Sequence, residues 1–188
     1  GVNIPNMVYP SLHPTVFSGD SNHSNTFDAG DLSQIISVDF TGSLEKEKEL
    51  CIQGFEFTRA YCSNTASNAQ LGALYLKDCG NAVVKNCRFY QNRSLGYGGI
   101  AFRAEYSTSH LLECDFTDNE AGSRGGAIRL SSNNRTKGYS TFERCLIARN
   151  KVKEGTGSAV CVQHAQRTAI VNSTIYGNIA TSGGAVFA

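Results

Sequence analysis

Tryptophan is absent from the 188 residues, charged side chains make up only 18%, and no apolar run approaches the length that spans a bilayer. Each absence excludes something. Thin, balanced charge with a net of +1 gives no electrostatic reason to expect nucleic acid as a partner, or an anionic membrane. Without about 18–20 consecutive apolar residues, this segment is expected to make no direct membrane insertion as a helix. No basic-then-apolar leader opens the chain. C-x-x-C pairs and Cys/His clusters at zinc spacing are missing, as are G-x-S-x-G, H-E-x-x-H, a P-loop and an EF-hand loop. No catalytic residue, cofactor or metal is therefore expected. The four histidines (His13, His23, His110 and His164) share no spacing and read as isolated surface residues.

What the chain does contain is two alternating patterns. Phe89–Asn92 and Phe116–Asn119 follow Phe-x-x-Asn, and Ile147–Asn150 and Ile175–Asn178 repeat it with isoleucine. Gly125-Gly126-Ala127-Ile128 and Gly183-Gly184-Ala185-Val186 give the second pattern; Leu71–Leu74, Gly98–Ile100 and Gly157–Val160 are decayed copies. The asparagines at 92, 119, 150 and 178 lie 27, 31 and 28 residues apart. Periods of this size mark stacked units that cannot bury their apolar faces alone.

Around the motifs, apolar and polar residues alternate with period two, as in Cys114-Asp115-Phe116-Thr117 and Ile128-Arg129-Leu130, which signals strands. Val84, Leu111, Phe142 and Ile170 each stand three residues before Cys87, Cys114, Cys145 or Ser173. An odd offset cannot keep both residues on one face of a flat strand, so a corner must separate them. Three short strands per turn predict an all-β, right-handed parallel β-helix (a solenoid) of about six coils. The coils run through Thr15–Phe40, Leu50–Leu76, Val83–Phe102, Leu111–Leu130, Thr141–Val162 and Ala169–Ala188. Tyr61–Gln70, Ser131–Lys137 and Lys151–Gly155 read as outward loops. A propeller would need longer blades and its usual Trp or His signatures. Residues 1–188 form one β-helix domain on this reading. Gly1–Pro5 looks like the interior of a longer protein or a processed end, and Ala185–Ala188 stops inside a strand-like run. The chain is thus expected to be a piece of a longer solenoid, with end-to-end self-association through its uncapped last coil.

The repeat positions sort into columns. Asn92, Asn119, Asn150 and Asn178 predict a ladder of amides at a corner, where asparagine tolerates left-handed backbone. Cys87, Cys114 and Cys145 predict a second ladder of buried, reduced thiols, because in-register side chains point in parallel and reach disulfide geometry poorly. Outward files on the Phe-x-x-Asn strand hold Glu56, Arg88, Asp115, Leu146 and Thr174, then Thr58, Tyr90, Thr117, Ala148 and Tyr176. Lys85, Glu113, Glu143 and Arg144 lie on the preceding corner. Possible outer-face ligand contacts are Arg88, Tyr90, Glu113, Asp115 and Tyr176. Glycan cleavage would require paired carboxylates; only Glu113 and Asp115 are close in sequence, and their mixed-sign neighbours suggest cross-strand pairing on a solvated face.

Alternating F-x-x-N and G-G-A-[ILV] resembles the repeat region of chlamydial polymorphic outer-membrane proteins and related bacterial β-helix surface proteins. His13–Asp20 resembles the coil that precedes such repeats, and Cys51–Thr58 the strand that follows it. The resemblance implies bacterial export, a secreted or cell-surface location and, for some members, adhesion to host cells. No functional residue is carried over with it. The function expected is a non-catalytic β-helix presenting loops for adhesion or contact with a glycan or host surface. The alternative is a polysaccharide lyase or glycoside hydrolase acting on the outer face.

Overall fold

A computed structural model describes residues 15–44, 49–66, 72–132, 138–164 and 166–188, and in it the chain winds as a parallel β-helix. The first sheet stacks Thr15–Ser18, Phe55–Thr58, Arg88–Tyr90, Asp115–Thr117, Leu146–Ala148 and Thr174–Tyr176. The second stacks Ile36–Asp39, Leu74–Lys77, Phe102–Glu105, Ile128–Ser131, Val160–Gln163 and Val186–Phe187. The third contains Glu49–Gln53, Asn81–Lys85, Ser109–Leu112, Tyr139–Glu143 and Arg167–Val171. All pairings in these sheets are parallel and in register.

A fourth sheet departs from the expected three strands per turn. It consists of the two-residue strands Tyr61–Cys62, Arg93–Ser94, Glu120–Ala121 and Lys151–Val152. Tyr61–Cys62 and Lys151–Val152 fall in segments expected to be loops, and Ser131 ends a strand of the second sheet. Residues 67–70 and 133–137 of the expected loops lie outside the described residues. The extra pairing arises because Cys62, Ser94, Ala121 and Val152 all turn inward and are buried, which continues the ladder past the asparagine corner. Each full coil passes through the third, first, fourth and second sheets. Four coils are complete, with a partial coil at either end, so the expected count of about six includes these two.

The corners are columns of left-handed backbone. Gly54, Asn86, Glu113, Arg144 and Asn172 turn the chain from third to first sheet with φ between +48° and +79°. Arg59, Gln91, Asp118, Arg149 and Gly177 turn it from first to fourth, with φ between +54° and +62°. The motif asparagines are therefore not the left-handed residues; the residue before each one is. That turn frees the asparagine side chain to point into the stack. Asn119 Nδ2 donates to Asn150 Oδ1 at 2.9 Å and to the Phe89 carbonyl at 3.1 Å, and its Oδ1 accepts from the Asn92 amide at 3.1 Å. Asn92 and Asn150 repeat this pattern, and Asn178 continues it upward. At the entry to the second sheet Gly125 holds φ +73°, and a Cβ on Gly126 would lie 2.2 Å from the Ser158 carbonyl.

The interior is a set of apolar columns. Phe57, Phe89 and Phe116 stack face to face with centroids 4.7 and 4.8 Å apart, followed by Ile147 and Ile175. Beside them the Cys87, Cys114 and Cys145 thiols donate weakly to carbonyls of their own coil and the one below; Cys114 Sγ lies 3.3 Å from the Leu112 oxygen and 3.4 Å from that of Val84. Ser173 takes the same place with its hydroxyl. All seven cysteines are free.

Candidate ligand-binding surface

On the outward side of the first sheet, register aligns Glu56, Arg88 and Asp115 on successive rungs. Arg88 Nη1 donates to Glu56 Oε1 at 2.7 Å, its Nε lies 3.8 Å from Asp115, and Tyr90 donates its hydroxyl to Glu56 Oε2 at 3.1 Å. Burial raises the Asp115 pKa against the pull of Arg88; burial and the Glu56 bond raise that of Tyr90. Arg88, Tyr90 and Asp115 are thus brought together. Glu113 is turned away at its left-handed corner, where it pairs with Arg144 at 3.1 Å and holds that guanidinium's pKa up. Tyr176 stands three rungs from Tyr90 and accepts from Arg149 Nη1 at 2.9 Å, while Arg149 also clasps Asp118.

This patch suits pairing better than bond cleavage. Glu56 and Asp115, two rungs apart, are separated by roughly 9.6 Å along the sheet. The carboxylates themselves are drawn closer, since both flank one guanidinium, and Arg88 fills the interval where the sugar and water of a glycosidase would have to sit.

A groove of about 390 Å³ opens at the next corner, between the first and fourth sheets. Its wall is a loop of the first coil. Leu32 donates to the Gly19 carbonyl at 2.8 Å to close that loop, and the Tyr61 amide donates to Leu32 to fix it onto the second coil. Asp20, 6% exposed, accepts from the Ser24 and Asn25 amides, both at 3.0 Å, and faces Arg59 Nε at 3.3 Å. Hydrogen bonds from Asn22, then Gly30 and Ser24, hold the Asp28 pKa below its ordinary value. The loop thereby presents Phe27, half-buried against Tyr61, with the Arg59 and Arg93 guanidiniums 5.8 and 5.7 Å from its ring. Asn25, Gln91, Asp118 and Glu120 supply amides and carboxylates around it. Phe27 has no counterpart in other coils, and sequence reasoning missed it for that reason.

The outward file of the second sheet was missed too. Tyr75, Arg103, Arg129 and Cys161 occupy it on successive rungs, and all except Arg129 are almost wholly buried. Arg103 Nε and the Tyr75 hydroxyl both donate to Glu105, at 2.9 and 2.8 Å. Burial, then the Glu105 bond, pushes the Tyr75 pKa well up, and burial raises Cys161. Their period-two placement after the glycine motif is visible in Ile128-Arg129-Leu130, but a burial-dependent cluster needs the fold. Among the described residues, no group of three or more His, Cys, Asp or Glu is placed to hold a metal ion.

Residues 23–187, from within the Phe27 loop to the last strand, match the family model described as a right-handed beta helix region. The chain belongs to that family. The hand of the coil is therefore right, as parallel crossovers require. No curated protein and no solved structure matches this right-handed β-helix.

Proposed function

We propose that this β-helix is a secreted or cell-surface protein whose corner groove holds a glycan for adhesion or host contact, without cleaving it. The observation that carries the reading is Phe27, an apolar ring with the Arg59 and Arg93 guanidiniums beside it and amide and carboxylate groups around it. A ring face for sugar C–H groups, with hydroxyl-binding donors and acceptors beside it, is the composition of a polyhydroxyl site. The likeness of the repeats to bacterial outer-membrane surface proteins supports display outside the cell.

A glycan-array screen run beside a reducing-end release assay tests the proposal. Binding without release is expected, with Phe27→Ala weakening it at least tenfold. Release of new reducing ends, lost in a Glu56→Gln, Asp115→Asn variant, would replace this reading with the hydrolase or lyase alternative.

A further inference from the structure

The outward side of the second sheet carries a surplus of positive charge, where that of the first carries Glu56 and Asp115 against Arg88. Arg103 and Arg129 stand on adjacent rungs, roughly 4.8 Å apart along the sheet. Glu105 serves Arg103 and Tyr75. Arg129 meets no carboxylate among the described residues: its Nε and Nη2 both donate to the neutral Gln163 Oε1, at 3.0 and 2.8 Å. Its Nη1 is buried and has no acceptor. Burial, and then Arg103, lower its pKa. A buried charged donor left without an acceptor loses its hydration and gains nothing in exchange.

Arg124 is exposed, has no carboxylate partner among the described residues, and lies with its guanidinium 5.9 Å from the centroid of the Tyr97 ring; Arg129 is 5.4 Å from that same ring. Tyr97 and Ser123, joined as an isolated parallel bridge, line a second groove of about 310 Å³. Neither arginine lines this groove, whose charged lining is Lys153 and Glu154; the arginines meet it only through the Tyr97 ring. Lys153 is engaged by Glu120 at 3.1 Å, and Glu154 is exposed to solvent.

We propose that Arg124 and Arg129 form a binding site for a single oxyanion, a carboxylate or a sulfate group, entered from the groove beside Tyr97. The anion makes its first contact with exposed Arg124, and it supplies the acceptor that Arg129 lacks only as neighbouring side chains move aside to open the buried Nη1. Planar guanidiniums match such oxygens two at a time, which a lysine would not do. The site lies on a different sheet from the Phe27 groove and does not depend on it.

Titration calorimetry of the whole chain with sodium glucuronate and with inorganic sulfate tests the site, against glucose and chloride at matched ionic strength. Saturable binding of both oxyanions is expected, with no response to glucose at this site. Arg124→Gln should weaken binding by about tenfold or more, in line with the loss of charge-assisted hydrogen bonds. Arg129→Gln should do the same; because it removes a half-buried group, the exposed Arg124 variant decides the matter if the other fails to fold. Sulfate binding without glucuronate binding would still assign the site, to a free inorganic ion. Equal affinities in the parent and Arg124→Gln would overturn the proposal. So would a sulfate effect that never saturates and persists in the variant, since that is general salt stabilisation. Phe27→Ala should leave these titrations unchanged, so the two sites can fail separately.

Discussion

Along the first sheet, the inward file reads Phe57, Phe89, Phe116, Ile147 and Ile175, while the outward file beside it reads Glu56, Arg88, Asp115, Leu146 and Thr174. The same strands carry both, yet one file hardly varies in character and the other changes sign, size and polarity from rung to rung. Inside, a side chain must fit the one above and the one below, because packing is dense and voids are costly. Outside, it must only be solvated or paired. In this fold the repeats agree where they serve the stack, and information about ligands lies where they disagree.

The sharpest way to break that comparison is Phe116→Ala. Phe116 is wholly buried and packs against Phe89 and Phe142, so its loss should cost about 3–5 kcal/mol in denaturant unfolding. Asn119→Ala should come next. It leaves the buried Asn92 amide and the Phe89 carbonyl without their side-chain partner, for about 1–3 kcal/mol. A loss near zero would mean the ladder follows from the stack and does not help to hold it.

Two substitutions on the outward side should be far milder. Folding raises the Asp115 pKa. Its contribution to stability is therefore fully present below the unfolded value and lost as pH rises through the folded one. Asp115→Asn should match the parent protein at pH 3 and be slightly more stable at pH 7. With the side chain 43% exposed, solvent screening keeps the gain small. A loss of melting temperature at pH 7 alone would show that the Arg88 contact outweighs burial. Thr117→Ala should stay within about 0.5 kcal/mol of the parent. If Thr117→Ala and Phe116→Ala unfolded at similar midpoints, the assignment of inside and outside would be reversed.

The inward columns were legible in the sequence because a period near 28 residues repeats the same residue types, and the odd offset between Leu111 and Cys114 disclosed a corner. The fourth sheet was not, because two-residue strands such as Glu120–Ala121 are too short to show an alternation. Nor were the sites. Phe27 belongs to a single loop, and the exceptional surroundings of Arg129 come from Arg103 and Gln163, 26 and 34 residues away in sequence and one coil away in space. The outward file on the first sheet was legible as a file, and so was the corner where Glu113 meets Arg144, since matching positions in adjacent coils carry opposite signs.

The left-handed corner after the first sheet has a consequence for how one height along the rod differs from another. Arg59, Gln91, Asp118 and Arg149 hold a backbone conformation that disfavours any side chain by about 1 kcal/mol or more each, and only the final member of the column is glycine, Gly177. A rod with glycine at every such corner would carry less backbone strain, and all its corners would be alike. Three of these four bulky residues line the Phe27 groove, and the fourth clasps Asp118 and Tyr176. The tension they hold in the backbone is what gives an otherwise uniform stack a position that a partner could tell from its neighbours.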